Sequence, residues 1–194
     1  MKSYDKRHIR AIVIGASAGG IKALVTILKR LPAEFRLPIV VVLHLPEQPE
    51  SKLVSIFQQH VSMRVQQAED KEKIQGGTLY FACAGYHLSI ERNLHFSLSV
   101  EDPVNYARPS IDVLMQSAAD AYGNGLAGIL LTGANHDGAQ GLAAIKNSGG
   151  LTIVQDPQEA EISTMPRAAI NCSQPDLILS LQEIHTLIVE LEKS

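Results

Sequence analysis

Residues 11–20 read AIVIGASAGG, an apolar run that ends in a cluster of small residues. Short runs of branched apolar side chains are typical of strands buried on both faces, as in a parallel sheet. The glycines that follow favour a sharp turn, and residues 21–31 show the apolar spacing near 3.6 of a helix. The stretch therefore predicts a strand, a tight turn and a helix, which is the first unit of an α/β sheet.

The same alternation of apolar strands and helical patterns recurs along the chain. The predicted strands are Ala11–Ile14, Ile39–Leu43, Ala127–Leu131, Leu151–Val154 and Leu177–Leu181. The predicted helices are Ile21–Leu31, Ser51–His60, Ile111–Tyr122 with Ser110 as its N-cap, Ala139–Asn147, and a closing helix that ends near Glu192, with Ser180 and Glu183 at capping-box spacing. Such alternation predicts a doubly wound, mostly parallel sheet with helices on both faces.

The middle of the chain has a different pattern. Thr78–Ala82, His87–Glu91 and Leu94–Val100 are short, alternating segments separated by turn residues. We predict that they form an antiparallel meander that is inserted in the sheet or added to its edge. The sequence has no internal repeat and no linker, so residues 1–194 are expected to form a single domain.

Composition excludes several classes of protein. The 194 residues carry 17 basic and 20 acidic side chains, a net charge of −3, and no Trp, which argues against a nucleic-acid partner. Two cysteines, Cys83 and Cys172, are too few for a disulfide framework and fit a reducing compartment. No segment resembles a signal peptide or a membrane span, so we expect a cytoplasmic protein without membrane insertion.

Chemically active side chains follow three of the predicted strands. Ligands bind at the carboxyl ends of the strands in an open parallel sheet. Ser17 follows the first strand, His44 follows the second, and Asp137 follows Ala127–Leu131 in the loop TGANHDG. A serine, a histidine and an aspartate at one edge form the minimum set for a nucleophile, a general base and an orienting acid.

Other interpretations of these residues remain open at this point. The Gly-x-Ser-x-Gly around Ser17 is also compatible with a phosphate-cradling loop or a simple turn, although neither the dinucleotide nor the Walker pattern is met. Asp156, which also follows a strand, is an alternative acid, and His136 is an alternative base. No two histidines have the helical spacing of a zinc site, so we expect no metal and no other cofactor.

Six ordered blocks of sequence resemble one family. The chain is similar to the catalytic domain of the CheB-type protein-glutamate methylesterases of bacterial chemotaxis, over about residues 8–190. The matching blocks are IGASAGG at 14–20, VVVLHLP at 40–46, RPSIDVL at 108–114, LTGANHDGA at 131–139, QDP at 155–157 and MPRAA at 165–169.

The resemblance implies an activity and a set of site residues. It implies hydrolysis of glutamate methyl esters on the cytoplasmic helices of methylated chemoreceptors, with glutamine deamidation as a second reaction and no cofactor. The family's catalytic serine, histidine and aspartate fall on Ser17, His44 and Asp137, which favours Asp137 over Asp156.

The resemblance also suggests where substrate would bind. Backbone N–H groups near Ala18 and Ala134 are candidates for an oxyanion hole. Arg108 and Met165 are the motif residues that we expect near the cleft, with a structural role at the start of a helix as the alternative for Arg108.

Two departures from the family pattern affect these expectations. The typical enzyme carries an N-terminal receiver domain, whereas this chain begins within ten residues of its first predicted strand. We therefore expect a stand-alone catalytic domain, for which a separate response-regulator partner is a candidate controller. The loop that often reads Gly-Met-Gly in the family reads Gly-Ala-Asn at 133–135. A serine esterase for another protein or a small ester, and a non-catalytic binding module of the same fold, are the competing functions.

Overall fold

The computed structural model describes residues 8–44 and 52–193. The strands are β1 (Ala11–Ala16), β2 (Ile39–Leu43), β3 (Arg64–Gln67), β4 (Thr78–Phe81), β5 (His87–Ile90), β6 (Phe96–Ser99), β7 (Leu126–Leu130), β8 (Leu151–Gln155) and β9 (Leu177–Leu179). The helices are α1 (Gly20–Leu28), α2 (Leu53–Gln58), α3 (Ile111–Tyr122), α4 (Ala139–Asn147), α5 (Thr164–Ser173) and α6 (Leu181–Leu191).

Seven of these strands form one parallel sheet in the order β3-β4-β2-β1-β7-β8-β9. The first strand of the chain is central, with Ile14 beside Val41 of β2 on one side and Ile129 of β7 on the other. The chain builds one half of the sheet outward from β1 and then returns to build the other half. The gap between β1 and β7 is therefore a topological switch point, where ligands bind in doubly wound folds.

Helices cover both faces of the sheet, as predicted. Side chains of β1 alternate between two cores, with Ile12 and Ile14 on one side and Ala11 and Val13 on the other. The first core is closed by α1, α2 and α6, and the second by α3, α4, α5 and the hairpin of β5 and β6. All six residues of β1 are buried, as expected for a central parallel strand.

The predicted small antiparallel insertion is present, but it contains two of the three predicted segments, and the assignment of the first segment to it was wrong. Among the strands of residues 8–44 and 52–193, only β5 and β6 pair antiparallel, and they form a separate two-stranded sheet. The first predicted meander strand is β4, which lies between β3 and β2 in the parallel sheet. All four residues of β4 are buried, including Thr78, because the strand is covered on both faces. A four-residue strand is too short for alternation to distinguish the two environments.

Two elements were not predicted. Strand β3 reads RVQQ, and a partly solvated edge strand of this kind needs no apolar run. Helix α5 contains Pro166, which a first helical turn tolerates but which the sequence pattern does not distinguish from a loop.

The predicted bounds of β2, α3 and α4 were confirmed, as was the capping box between Ser180 and Glu183. Ser51, at the start of the second predicted helix, and the last two residues of the VVVLHLP block lie outside the described residues. Within the described ranges, no helix is both long enough and apolar enough to cross a membrane.

Candidate active site

Ser17, His44 and Asp137 follow three adjacent strands at the carboxyl edge of the sheet. The Ser17 N–H donates to Thr132 O at 3.0 Å, and the His44 N–H donates to Ala16 O at 3.0 Å. These bonds extend the β1–β7 and β1–β2 ladders by one residue beyond the strands. The backbone of the serine and the histidine is thus fixed by the sheet itself, beside the switch point.

A tight turn carries Ser17 from β1 into α1. Gly19 has φ of 78°, in the left-handed region that residues with a Cβ rarely adopt, and the Gly20 N–H donates to Ser17 O at 2.8 Å. The N–H groups of Ala18 and Gly19 donate to no acceptor among the described residues. They stand at the N-terminus of α1, where the helix dipole favours negative charge.

The loop after β7 packs closely against this turn. A Cβ added to Gly133 would lie 2.5 Å from Met165 Cε and 3.0 Å from the Cβ of Ser17. The Met165 N–H donates to Gly133 O at 3.0 Å, and the Met165 side chain is fully buried. Only a residue without a side chain fits at position 133 without displacing Ser17 or Met165.

His44 contacts Asp137 through Nε2, which lies 3.0 Å from Asp137 Oδ2. The two atoms are within ion-pair distance, but the Nε2–H bond does not point at Oδ2 or at another described acceptor. The contact therefore lacks the angle of a hydrogen bond. Such contacts are often loose in ligand-free sites and tighten around a substrate. The His44 side chain is 13 % exposed, whereas that of Asp137 is completely buried.

The Asp137 carboxylate accepts hydrogen bonds from the start of α3 and from the segment before it. Oδ2 accepts from the Ile111 N–H at 2.6 Å. Oδ1 accepts from Ser110 Oγ at 2.8 Å, from the Asp112 N–H at 3.1 Å and from Asn105 Nδ2 at 3.1 Å. A buried carboxylate is stable only when its oxygens are satisfied in this way, and the N-terminus of α3 supplies two of the donors.

These contacts keep Asp137 ionised. Burial raises the pKa of Asp137, but the close contact with His44 and the hydrogen bonds from Ile111, Asn105 and Ser110 outweigh it and lower that pKa to about 2. The pKa of the neighbouring Asp112 is raised, chiefly by burial, with the charge of Asp137 adding to the increase. The site therefore holds one firm negative charge against the His44 ring.

Other side chains of the site were not found by sequence reasoning. Asn105 donates both to Asp137 and to Asp112 Oδ2, at 2.8 Å for the second bond. Asn135 Nδ2 lies 3.2 Å from His44 Nδ1. Ser110 was predicted as the N-cap of α3, and its Oγ does accept from the Val113 N–H at 3.5 Å. Nothing in the sequence indicated that this helix end would point at Asp137.

A cleft of about 670 Å³ opens in front of the serine and the histidine. It is lined by Ser17, Ala18, Gly19, Gly20, Ile21, Lys22 and His44. The structure therefore brings the serine, the histidine and the candidate oxyanion donor at 18 to one surface, with the carboxylate buried behind the ring. A hydroxyl, an imidazole and a carboxylate in this order can transfer an acyl group.

The remaining predicted site residues do not line this cleft. Arg108 is exposed, and its Nη1 donates to Val100 O at 3.0 Å and to Glu101 O at 3.1 Å, so it ties down the segment before α3. Ala134 is exposed on the loop after β7, and the side chain of Met165 is buried beneath Gly133. The contacts of Arg108 favour its structural alternative.

The alternative acid and base lie elsewhere. Asp156 accepts from the Gln158 N–H at 2.8 Å within its own turn, and its own N–H donates to Leu179 O. The His136 side chain is exposed, and the Asp137 carboxylate contacts Ser110, Ile111 and His44 instead. Across residues 8–44 and 52–193, no three His, Cys, Asp or Glu side chains are grouped as metal ligands.

Comparison with known proteins gives one consistent result. A relative from Leptospira interrogans is 47 % identical over 96 % of this chain and 97 % of its own length. The protein-glutamate methylesterase/protein-glutamine glutaminase of Archaeoglobus fulgidus is 38 % identical over 82 % of this chain, but the match covers only 46 % of that protein.

Structure and family models agree with these sequence matches. The crystal structure of the Thermotoga maritima CheB methylesterase catalytic domain superposes with a TM-score of 0.89 and 31 % identity, covering 94 % of this chain and 98 % of that one. The CheB methylesterase family model matches residues 12–188, and the chain therefore belongs to the CheB methylesterase family.

Proposed function

We propose that this chain is a serine hydrolase that removes methyl esters from glutamate side chains of methylated chemoreceptors. The observation that carries the proposal is the placement of His44, which has Asp137 Oδ2 at 3.0 Å behind Nε2 and shares its cleft with Ser17 in front. The reaction named for the Archaeoglobus fulgidus relative supports the same chemistry.

In the first step, Ser17 Oγ attacks the carbonyl carbon of the ester. Because Nε2 faces the carboxylate, Nδ1 is the ring nitrogen that takes the proton from the serine as the Oγ–carbon bond forms. Asp137 holds the ring in place and stabilises the imidazolium that results. A carboxylate whose pKa is about 2 is fully ionised at neutral pH and suits this role.

The oxyanion formed in this step needs donors in the cleft. The free N–H groups of Ala18 and Gly19 at the start of α1 are the donors nearest to the serine in sequence. In the proposal, a second donor comes from the facing loop, where the Ala134 N–H has no acceptor among the described residues. Backbone donors held by a sheet and a helix need no rearrangement when the charge develops.

Collapse of the tetrahedral intermediate then breaks the carbon–oxygen bond to the leaving group. Methoxide takes the proton from His44 and leaves as methanol, and a water molecule activated by the same nitrogen hydrolyses the glutamyl ester on Ser17. With a glutamine side chain the leaving group is ammonia, so the same residues would carry out deamidation. Neither reaction requires a cofactor.

The substrate in this proposal is a glutamate-rich helical segment of a chemoreceptor on the cytoplasmic side of the membrane. Lys22 brings a positive charge to the cleft, which suits acidic residues that flank the target side chain. Arg108 remains a proposed substrate-side residue, whereas Met165, whose side chain is buried, is proposed to affect the substrate side through its contact with Gly133. An Arg108→Ala variant that raises KM without loss of folding would support this role for Arg108, whereas lower stability with unchanged KM would support its structural alternative.

The same proposal places the protein in the cytoplasm, under the control of a separate response-regulator partner. Such a partner would act on a chain whose cleft, as described, is open to solvent at Ile21 and Lys22. A binding assay with phosphorylated and unphosphorylated response regulators would test this part of the proposal.

The decisive experiment measures methanol release from methylated chemoreceptor. Wild-type protein should release methanol, Ser17→Ala should not, and Ser97→Ala should match wild type, because Ser97 lies on the hairpin and not at the cleft. Activity of wild type on p-nitrophenyl esters alone would indicate a serine esterase with another substrate. A folded wild type inactive on both, with and without a response regulator, would indicate a binding module.

A further inference from the structure

Asn135 makes a contact with the proposed base that the mechanism does not use. It lies on the loop between β7 and α4, two residues before Asp137, and its Nδ2 is 3.2 Å from His44 Nδ1. This nitrogen is the one that faces away from the carboxylate, since Nε2 is 3.0 Å from Asp137 Oδ2. The His44 ring is thus contacted by the same loop at both of its nitrogens.

The orientation of the Asn135 amide is fixed by the backbone. The Asp137 N–H donates to Asn135 Oδ1 at 3.1 Å, and only the carbonyl oxygen of the amide can accept this bond. The NH2 group must then face the ring, so the contact with Nδ1 is a donor approaching an acceptor. Nδ1 is therefore unprotonated in this arrangement, and the ring proton is on Nε2, next to the carboxylate.

A neutral imidazole ring has one nitrogen that can accept a hydrogen bond, and two donors compete for it. Asn135 already occupies it, whereas Ser17 Oγ donates to no acceptor among the described residues. Proton transfer from Ser17 would also place an N–H on Nδ1, facing the N–H of Asn135. The amide therefore stabilises the neutral ring before the reaction and opposes the imidazolium that the reaction forms.

We propose that Asn135 is a positioning residue that holds the lone pair of His44 Nδ1 in the resting site and must release it before Ser17 can react. The inference rests on the proposed roles of Ser17 and His44. It adds that the hydrogen bond from Asn135 must break before His44 can accept the proton of Ser17. The carboxylate 3.0 Å from Nε2 already favours a proton on that nitrogen, so the added effect of Asn135 in this proposal is to reduce the reactivity of the unoccupied site.

Two substitutions at position 135 should change this reactivity in opposite directions. Asn135→Ala removes the competing donor and frees the lone pair. Asn135→Asp keeps an oxygen for the Asp137 N–H but places a carboxylate against Nδ1, which favours a proton there and leaves no lone pair. A residue that only supported the loop through this oxygen would lower reactivity in Asn135→Ala and leave Asn135→Asp close to the wild-type rate.

The first readout is the rate at which a fluorophosphonate probe labels Ser17, which requires no receptor. We expect Asn135→Ala to label about three- to tenfold faster than wild type, the effect of one neutral hydrogen bond. Asn135→Asp should label about tenfold more slowly at neutral pH. His136→Ala is the matched control on the same loop, because its side chain is exposed, and should label at the wild-type rate. Equal or slower labelling of Asn135→Ala would overturn the inference.

The second readout is the ¹⁵N NMR spectrum of the histidine rings, with the His44 signals identified by comparison with His44→Gln. Wild type should show an unprotonated, hydrogen-bonded Nδ1, Asn135→Ala a shifted Nδ1 signal, and Asn135→Asp a protonated one. An Nδ1 signal that does not move in Asn135→Ala would overturn the inference even if no variant is labelled. Wild-type labelling no faster than that of Ser17→Ala would refute only the proposed function.

Discussion

The Asp137 carboxylate and the Ser17 hydroxyl lie at the same edge of the sheet, but their surroundings differ. Both carboxylate oxygens accept hydrogen bonds, from two backbone N–H groups, a serine and an asparagine, with a histidine nitrogen at 3.0 Å. The Ser17 hydroxyl donates to none of the described residues, and Ser17 is fixed through its backbone alone.

This difference separates two requirements of the site. A buried charge must be fully satisfied before it can orient a neighbouring ring, so the acid side carries the hydrogen-bond network. In the proposed function Ser17 is the nucleophile, which must approach a substrate and lose a proton, and its side chain has few contacts. Substitution of Asp137 or its hydrogen-bond partners (the acid side) should therefore lower both stability and reactivity, whereas substitution of Ser17 (the serine side) should lower reactivity alone.

The largest effect is expected for Ser17→Ala. Methanol release should fall on the order of 10⁶-fold, because the nucleophile is lost. The free energy of unfolding should stay within about 0.5 kcal/mol of wild type, because no side-chain hydrogen bond is broken. Urea unfolding of both proteins measures the second value. A loss of several kcal/mol would show that the hydroxyl is part of a structural network and would remove the contrast between the two sides.

Asp137→Asn should reduce both quantities. The rate should fall by about 10⁴-fold, as for the same change in serine proteases. Stability should fall by about 1–3 kcal/mol, because one amide N–H must then face the donors of Ile111 or Ser110. Kinetics and urea unfolding on one preparation give both numbers. A rate loss with unchanged stability would mean that the network does not hold the carboxylate.

Gly133→Ala probes the contact between the two sides. The added methyl group would meet Met165 Cε at 2.5 Å and Ser17 Cβ at 3.0 Å, so one of them must move. We expect a loss of activity of about 10- to 100-fold and of stability of about 1–3 kcal/mol. Gly85→Ala is a control, since it adds a methyl group with no neighbour within 4 Å, at φ of 80°. It should cost about 1–2 kcal/mol of stability without affecting the rate.

The smallest effect concerns acid stability. The pKa of Asp137 is lowered to about 2 in the folded protein, so its contribution to stability is complete above about pH 4 and is lost as the pH falls towards 2. The difference in free energy of unfolding between wild type and Asp137→Asn should shrink over this range. The raised pKa of Asp112, to which the charge of Asp137 contributes, acts in the opposite direction, and its effect on stability falls above the ordinary pKa of an aspartate, so the comparison is read below about pH 4. A difference that is constant from about pH 4 to pH 2 would contradict the prediction.

The sequence predicted the central part of the fold better than its edges. Strands such as β2 are continuous branched apolar runs because both of their faces are covered, and this requirement is visible in the residues. The edge strand β3 has one partner and a polar sequence, so no such pattern exists. Strand β4 is parallel because β2 and β3 lie beside it. The sequence of a four-residue segment does not specify its neighbouring strands.

The site shows the same limit. The rule that ligands bind beyond the carboxyl ends of strands indicated Ser17 and His44 and left Asp137 and Asp156 as alternative acids, between which the family resemblance favoured Asp137. Asn105 and Asn135 reach the site from irregular segments, where the backbone direction decides what a side chain contacts. Their positions follow from the packing of α3 and of the loop after β7, and no local pattern carries that information.

The switch point between β1 and β7 divides the chemistry between two halves of the polypeptide. Ser17 and His44 belong to the half that contains β1 to β4, and Asp137 belongs to the half that contains β7 to β9. A break in the chain between the hairpin and α3 would yield two fragments, neither of which holds all three side chains. Ester hydrolysis would then be detected only when the two fragments associate. A break at this position would therefore suit a fragment-complementation sensor.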